Sequence, residues 1–348
     1  MAYEDNFGTR AEQPIYPGVA NIFNINPGLN ITRAWVTIDA TVTITGATGG
    51  ELGTPIGDAA IANLAASRLI RRIKVLASPG PGSRYPKGPL VDCSPRSLLR
   101  FAMPQREGKL VGDLLDNGSL GSGANGAYQI YFTLPIYFAD EANLNGSQAN
   151  STALNMNARD SQGLPVYSAV QVRVDIAAAL SELFEGTTGN FAIAGMLRYG
   201  DKRLDLSGAD TLPMKQEDHI ALIRGEQQQF PDQLLPLDGA YTQWLIMAEQ
   251  GQPGYTLSDA LIERLEIQGN TLNFKKKWQE IRQAMLDESF FDPSQTLTGL
   301  LYLDWTDGIL QNANAAAGLQ AYYSVLNPSG SGLDQLRVYT RRVYGLSS

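Results

Sequence analysis

The chain has 348 residues, with 27 Lys and Arg against 35 Asp and Glu (net charge -8), and it is 43% apolar and 18% charged. That length suits two β domains rather than one small sandwich, and the acidic balance argues against the whole chain gripping a phosphate backbone, so no direct nucleic-acid partner is expected. A single cysteine, Cys93, permits no internal disulfide, and a single histidine, His219, cannot by itself make a His-based zinc site; no metal or cofactor is expected.

In chain order, residues 1–20 are polar and carry Pro14 and Pro17, which reads as an extended N-terminal arm. Its acidic start lacks the basic and apolar regions of a signal peptide, and no run of 18 apolar residues occurs, so a chain made in a cytoplasm that does not span a membrane is expected. Residues 33–45 then alternate. Ala34, Val36, Ile38, Ala40, Val42 and Ile44 share one face; Arg33, Trp35, Thr37, Asp39, Thr41 and Thr43 share the other. A half-buried strand of that length, roughly 40 Å at about 3.3 Å per residue, requires a tall sandwich or barrel.

Residues 67–77 form the next strand candidate, with Leu69, Ile73 and Val75 on one face and Arg71 interrupting it. Ser94 as N-cap and Pro95 at the first helical position announce a short helix that Pro104 ends. A glycine-rich excursion at 108–126 leads to residues 128–139, where Tyr128, Ile130, Phe132, Leu134, Ile136 and Phe138 alternate; Pro135 on the opposite face implies an edge or a bulge. Residues 166–176 and, more weakly, 191–199 repeat the pattern. At 200–217 it dissolves, and the domain boundary is placed there, between residues 207 and 208.

Beyond the boundary, strands are predicted at 220–224, 241–248, 261–267, 300–305, 319–326 and 336–344. Phe274, Trp278, Ile281 and Met285, spaced four, three and four, predict one amphipathic helix over about 273–288. The fold class is therefore all-β, with a few short helices.

No constellation demands catalysis. Asp304 and Asp307 could hold a cation, but an Asp-rich turn closed by Gly308 explains them equally. His219 has no serine motif beside it, and Cys93 reads as a buried thiol. Lys275, Lys276 and Lys277 form the strongest basic run, which could meet anionic lipid or nucleic acid but reads rather as a solvated face or a salt-bridged contact with an acidic neighbour. Arg337, Arg341 and Arg342 interleave with Tyr339 and Tyr344, a mixture enriched at subunit contacts. With the outward Trp35 these six are the candidate subunit-contact residues; none is assigned to catalysis, and no enzyme is expected.

The proline-bearing arm, the strand at 33–45, residues 69–76 and above all GAYQIYFTLPIYFADEANLNG at 126–146 resemble the first jelly roll of double jelly-roll major capsid proteins. These build tailless icosahedral bacteriophages with an internal membrane (the tectivirus and adenovirus-hexon lineage). The helix at 273–288 followed by LLYLDWTDG, AGLQAYYSVLNP and DQLRVYTRRVYG fits the second jelly roll. The resemblance implies an arm at 1–20, a first jelly roll at 21–207 and a second at 208–348. It also implies a structural protein of the virion, assembled in the host cytoplasm, whose pseudo-hexagonal homotrimers tile an icosahedral shell. Its partners would be itself, other capsid proteins at vertices and, through the arm, the inner membrane surface. A carbohydrate-binding or carbohydrate-cleaving β-sandwich, using some of Trp35, Trp244, Trp278 and Trp305, and a viral receptor-binding spike are the alternatives.

Overall fold

The computed structural model describes residues 3–4, 11–26, 28–49, 68–80, 88–101, 125–139, 153–157, 159, 162–184, 186–204, 214–223, 227–229, 240–250, 256–268, 273–287, 298–304, 320–326, 328 and 334–343. In the first half the elements are β1 (Tyr3–Glu4), β2 (Ala11–Pro14), β3 (Ala20–Ile25), β4 (Asn30–Thr48), β5 (Ile70–Pro79), β6 (Pro89–Cys93), α1 (Pro95–Phe101), β7 (Gly126–Tyr137), β8 (Tyr167–Ile176), α2 (Leu180–Leu183) and β9 (Thr188–Leu204). The second half contains β10 (Met214–Leu222), β11 (Gln227–Gln229), β12 (Ala240–Gln250), β13 (Thr256–Leu257), β14 (Ile262–Gln268), β15 (Asn273–Lys277), α3 (Trp278–Asp287), β16 (Leu300–Asp304), β17 (Gln320–Val325) and β18 (Gln335–Val343).

Strand order identifies two complete jelly rolls. In the first, β2-β9-β4-β7 form one sheet and β3-β8-β5-β6 the other; in the second, β10-β18-β12-β16 and β11-β17-β14-β15 repeat the same order position by position. The helices repeat as well: α1 follows β6 as α3 follows β15, each leading to the last strand of the facing sheet. Eight strands in two sheets is the jelly-roll arrangement, and this chain carries it twice.

The long strand behaves as its alternation predicts. On β4, Ala34, Val36, Ile38, Ala40, Val42 and Ile44 are all buried, while the outward row is closed by cross-strand pairs, Thr37 Oγ1 to Thr133 Oγ1 at 2.9 Å and Arg198 Nη1 to Asp39 Oδ2 at 2.9 Å. β9 alternates weakly because it must lie close to its neighbour. A Cβ on Gly195 would sit 2.4 Å from Ala40 Cα, and one on Gly200 2.3 Å from Trp35 Nε1, so both positions exclude side chains. Arg71 leaves the inner face of β5 through a register shift between Ile70 and Arg72. Pro135 lies on β7, the end strand of its sheet.

Three expectations are corrected. Residues 11–14 are not a free arm: they form β2, antiparallel to β9, and Ile15 is buried with its N–H donating to Gly195 O at 3.2 Å. Pro14 then falls where its missing N–H would face the open edge, the place proline tolerates in a sheet. The helix begins at Trp278 rather than 273, because Asn273–Lys277 add a strand to β14 with Phe274 opposite Ile267. Its start is marked by Glu280 Oε2 accepting the Lys277 N–H at 2.9 Å, half of a capping box. Trp278, Ile281 and Met285 remain its buried stripe. Finally, the charges at 201–203 belong to β9: Asp201 is buried and accepts from Tyr199 Oη and from Arg203, each at 2.9 Å.

Candidate functional site at the junction of the two lobes

The two lobes share a sheet. β6, the last strand of the first lobe's second sheet, runs parallel to β10, the first strand of the second lobe, with Val91 opposite Gln216 and Asp92 opposite Glu217. This pair fuses the two sheets into one of nine strands. Only two residue pairs make the ladder, so side chains must supply the rest of the hold.

They do so through a lattice of buried charge. Arg72 on β5 donates from Nε to Asp92 and from Nη1 to Asp218 Oδ1 at 2.8 Å. On its other oxygen Asp218 accepts from the Ser94 N–H at 3.0 Å and from the hydroxyls of Ser94, just before α1, and Ser97, on its first turn. Arg337 on β18 lies 3.6 Å from Asp218 and 3.4 Å from Glu249. Arg96 on α1 reaches Glu249 at 2.9 Å, and Gln335 donates to the same carboxylate. Arg72, Arg96 and Asp92 belong to the first lobe; Asp218, Glu249 and Arg337 belong to the second. Three guanidinium groups and three carboxylates thus form one set, in which Arg72 with Asp218 and Arg96 with Glu249 are the pairs that cross the boundary.

Burial decides how this set behaves. The Asp218 and Glu249 side chains are 1% and 0% exposed. Desolvation raises a carboxyl pKa, yet both are held below the usual range: Arg337, Arg72 and the two serines outweigh burial at Asp218, and Arg96, Arg337 and Gln335 do so at Glu249. Cys93, at the end of β6, is fully buried, and desolvation together with the Asp218 charge pushes its thiol well above the ordinary value, making it unreactive while the junction is closed. The protons of Ser94 and Ser97 are committed to Asp218, so neither is poised as a nucleophile. His219 points away from them, with Nε2 3.9 Å from Glu217. Among the described residues no group of three His, Cys, Asp or Glu side chains could hold a metal.

A second seam grips the end of β7. Gln216 Nε2 donates to Tyr137 O at 2.6 Å, Tyr339 Oη donates to Gln216 Oε1 at 2.6 Å, and Arg341 Nη2 donates to Phe138 O at 2.7 Å. Arg342, on the opposite face of β18, pairs with Glu217 and lies 5.9 Å from the Tyr241 ring centroid. The placement of Arg337, Tyr339, Arg341 and Arg342 at a subunit surface is therefore corrected: Tyr339, Arg341 and Arg342 are 0%, 2% and 0% exposed, and their partners lie within the chain. Arg337 is almost as deep, its side chain 11% exposed. Trp35 is half-buried on the outward row, its ring 5.7 Å from the Arg33 guanidinium. Tyr344, Trp305 and Asp307 lie outside the described residues. Trp244 and Trp278 are core residues, which removes two rings from any sugar platform.

The charge partners Asp218, Glu249, Arg72 and Arg96 escape a reading of the sequence, because their partners lie far away in the chain, Arg72 and Asp218 being 146 positions apart. The usable signal was Lys215 to His219, a run of polar residues on both faces leading into Ile220, which is the signature of a strand covered on both sides by polar partners.

No family model and no curated protein matches the chain. Solved structures do. The structure titled as the crystal structure of the STIV MCP aligns over 96% of this chain and 94% of its own, at 11% identity and a TM-score of 0.60. A chain from the atomic structure of Sulfolobus Turreted Icosahedral Virus aligns over 97% and 89%, at 11% identity and TM-score 0.60. The Faustovirus major capsid protein aligns over 98% and 91%, at 8% identity and TM-score 0.52. At these identities the likeness concerns the fold, and it covers nearly the whole of each chain: the double jelly roll is common to all.

Proposed function

We propose that this chain is a viral major capsid protein, a structural protein of the virion. The observation that carries the reading is the locked pair of jelly rolls: two lobes of the same strand order, joined by a shared sheet and a buried charge lattice, form one block with two similar halves. Three such blocks arranged head to tail present six similar lobes, a pseudo-hexagonal outline that tiles an icosahedral shell. The outward row of β4, with Trp35 near its start, is the surface assigned to contacts between neighbouring lobes or capsomers. Other capsid proteins occupy the vertices. Since Ala11–Pro14 are spent on β2, contact with an inner membrane falls to the residues before them, and assembly takes place in the host cytoplasm.

The test is the solution state of the purified full chain, read by light scattering and electron microscopy. Trimers of about 113 kDa, three copies of 37.7 kDa, that associate into hexagonal sheets or closed particles are the expected result. A stable monomer that binds glycans and never assembles would overturn the reading.

A further inference from the structure

Each lobe has an entering edge and a leaving edge. In the second lobe β10 stands at the entering edge and β15 at the leaving edge; in the first lobe the equivalent strands are β2 and β6. Within the chain, leaving edge meets entering edge: β6 lies parallel to β10, and both are covered. That leaves one edge of each kind without a partner among the described residues, β15 in the second lobe and β2 in the first.

Their surfaces are those of an interrupted interface. Tyr16, Val19 and Ile22, which are 56%, 48% and 42% exposed, sit on the turn joining β2 to β3 and on β3 itself. The two strands lie side by side at this edge, Gln13 Nε2 donating to Ile22 O at 2.7 Å and Asn21 Nδ2 to Pro14 O at 3.0 Å. Three large apolar side chains on one edge invite a partner. The edge also carries an exposed carboxylate, Glu12, which shares Arg198 at 3.4 Å. Across the molecule, β15 presents Lys275, Lys276 and Lys277, all exposed, Lys275 held at 2.9 Å by Glu266 and Lys276 lying 5.7 Å from the Phe274 ring centroid. Lysines protect an end strand from indiscriminate pairing, and here they are opposite in sign to Glu12 on the edge that strand order assigns to them.

We infer that β15 of one copy docks on the β2–β3 edge of a second copy, repeating between chains the junction that β6 and β10 make within one, with the three lysines facing Glu12 and the neighbouring chain covering Tyr16, Val19 and Ile22. The contact is heterologous, so it propagates around a ring until it closes. The inference rests on the capsid reading for its purpose and on strand order and surface chemistry for its location.

Cross-linking in the full chain tests it. One batch carries Glu12→Cys and another Lys276→Cys; the native Cys93 is buried and stays silent. Mixed and oxidised, the two should give disulfide-linked dimers on a denaturing gel, and neither batch alone should do so. In parallel, Lys275→Glu with Lys276→Glu and Lys277→Glu should leave a folded chain that is at least tenfold weaker in self-association, as should Glu12→Lys with Tyr16→Ser. Mixing the two charge-reversed chains should recover part of the loss, and raising salt from 50 mM to 500 mM should weaken the wild type. If the wild type assembles while the mixed cysteines fail to link and the reversals change nothing, the edge assignment is wrong and the capsid reading survives. If the wild type itself never associates, both fall.

Discussion

Replacing Asp218 by alanine isolates what the buried lattice contributes. The carboxylate accepts from Ser94 N–H, Ser94 Oγ, Ser97 Oγ and Arg72, and lies 3.6 Å from Arg337. Removing one partner of a buried ion pair costs about 3–5 kcal/mol, because the remaining charge is left buried and uncompensated. Arg72 keeps Asp92, and Arg337 keeps Glu249, which moderates the charge term. The Ser97 hydroxyl, in a residue with no exposure, loses its acceptor at about 1–3 kcal/mol. These opposing corrections leave an expected loss of about 4 kcal/mol, large against the roughly 5–15 kcal/mol of a whole domain. Cys93 reports it directly, since the chain's one thiol lies buried at this seam. If labelling requires the lobes to part, about 4 kcal/mol corresponds to roughly a thousandfold faster modification by a small thiol reagent at fixed pH. Asp175→Ala is the control, breaking the half-exposed pair with Arg173, whose side chain is 44% exposed; it should cost no more than about 1 kcal/mol and leave labelling unchanged. Labelling of the Asp218 variant within threefold of wild type would show that the lattice does not hold the lobes together.

Acid should open the same region. Glu217 titrates near 2 instead of 4.5: burial raises its pKa, but His219, Arg342 and Lys215 more than offset this, and Asp218 and Glu249 are shifted the same way. A carboxyl with a depressed folded pKa stabilises fully above its unfolded value and loses that contribution as pH falls through the folded one. Thermal stability should therefore hold down to about pH 4.5 and fall between there and pH 2, with Cys93 labelling after a brief acid pulse rising in step; a flat profile across that window would contradict the assignment. On β9, Gly195→Ala should destabilise by about 3 kcal/mol, the upper end of overpacking costs, because the new methyl meets backbone atoms of Asp39 and Ala40 that cannot yield. Urea unfolding would measure it, and a loss below about 0.5 kcal/mol would mean that β4 and β9 have room to separate.

What the sequence revealed follows the number of covered faces. β4, β7 and β8 each bury one face, so their residues alternate and their positions could be read within a few residues. β2 could not, being four residues long with a proline, and its place in the sheet depends on β9, almost two hundred positions away. β15 was absorbed into the helix because Phe274 happens to continue the helical spacing of Trp278, Ile281 and Met285, and the capping contact of Glu280 is visible only once the chain has turned. The lattice was hidden for a different reason. Arg72 and Asp218 are 146 positions apart, and Arg337 and Glu249 are 88 apart, so no local window contains a complete pair.

The arginines of β18 show the general difficulty. An Arg and Tyr mixture is enriched both at contacts between subunits and wherever a polar strand is buried between two parts of one chain, and the chemistry is the same: a guanidinium that needs carboxylate or carbonyl acceptors once water is removed. What separates the cases is strand order. β18 lies between β10 and β12 in the middle of a sheet, with the first lobe covering one face and the rest of its own jelly roll the other, so its polar residues must find acceptors inside the chain. β15 and β2 instead end their sheets among the described residues, with Lys275, Lys276 and Lys277 exposed on one and Glu12 on the other. In a fold made of two repeats, a polar strand inside a sheet acts between the lobes of one molecule, and a polar strand at an unmatched edge is the one proposed to act between molecules.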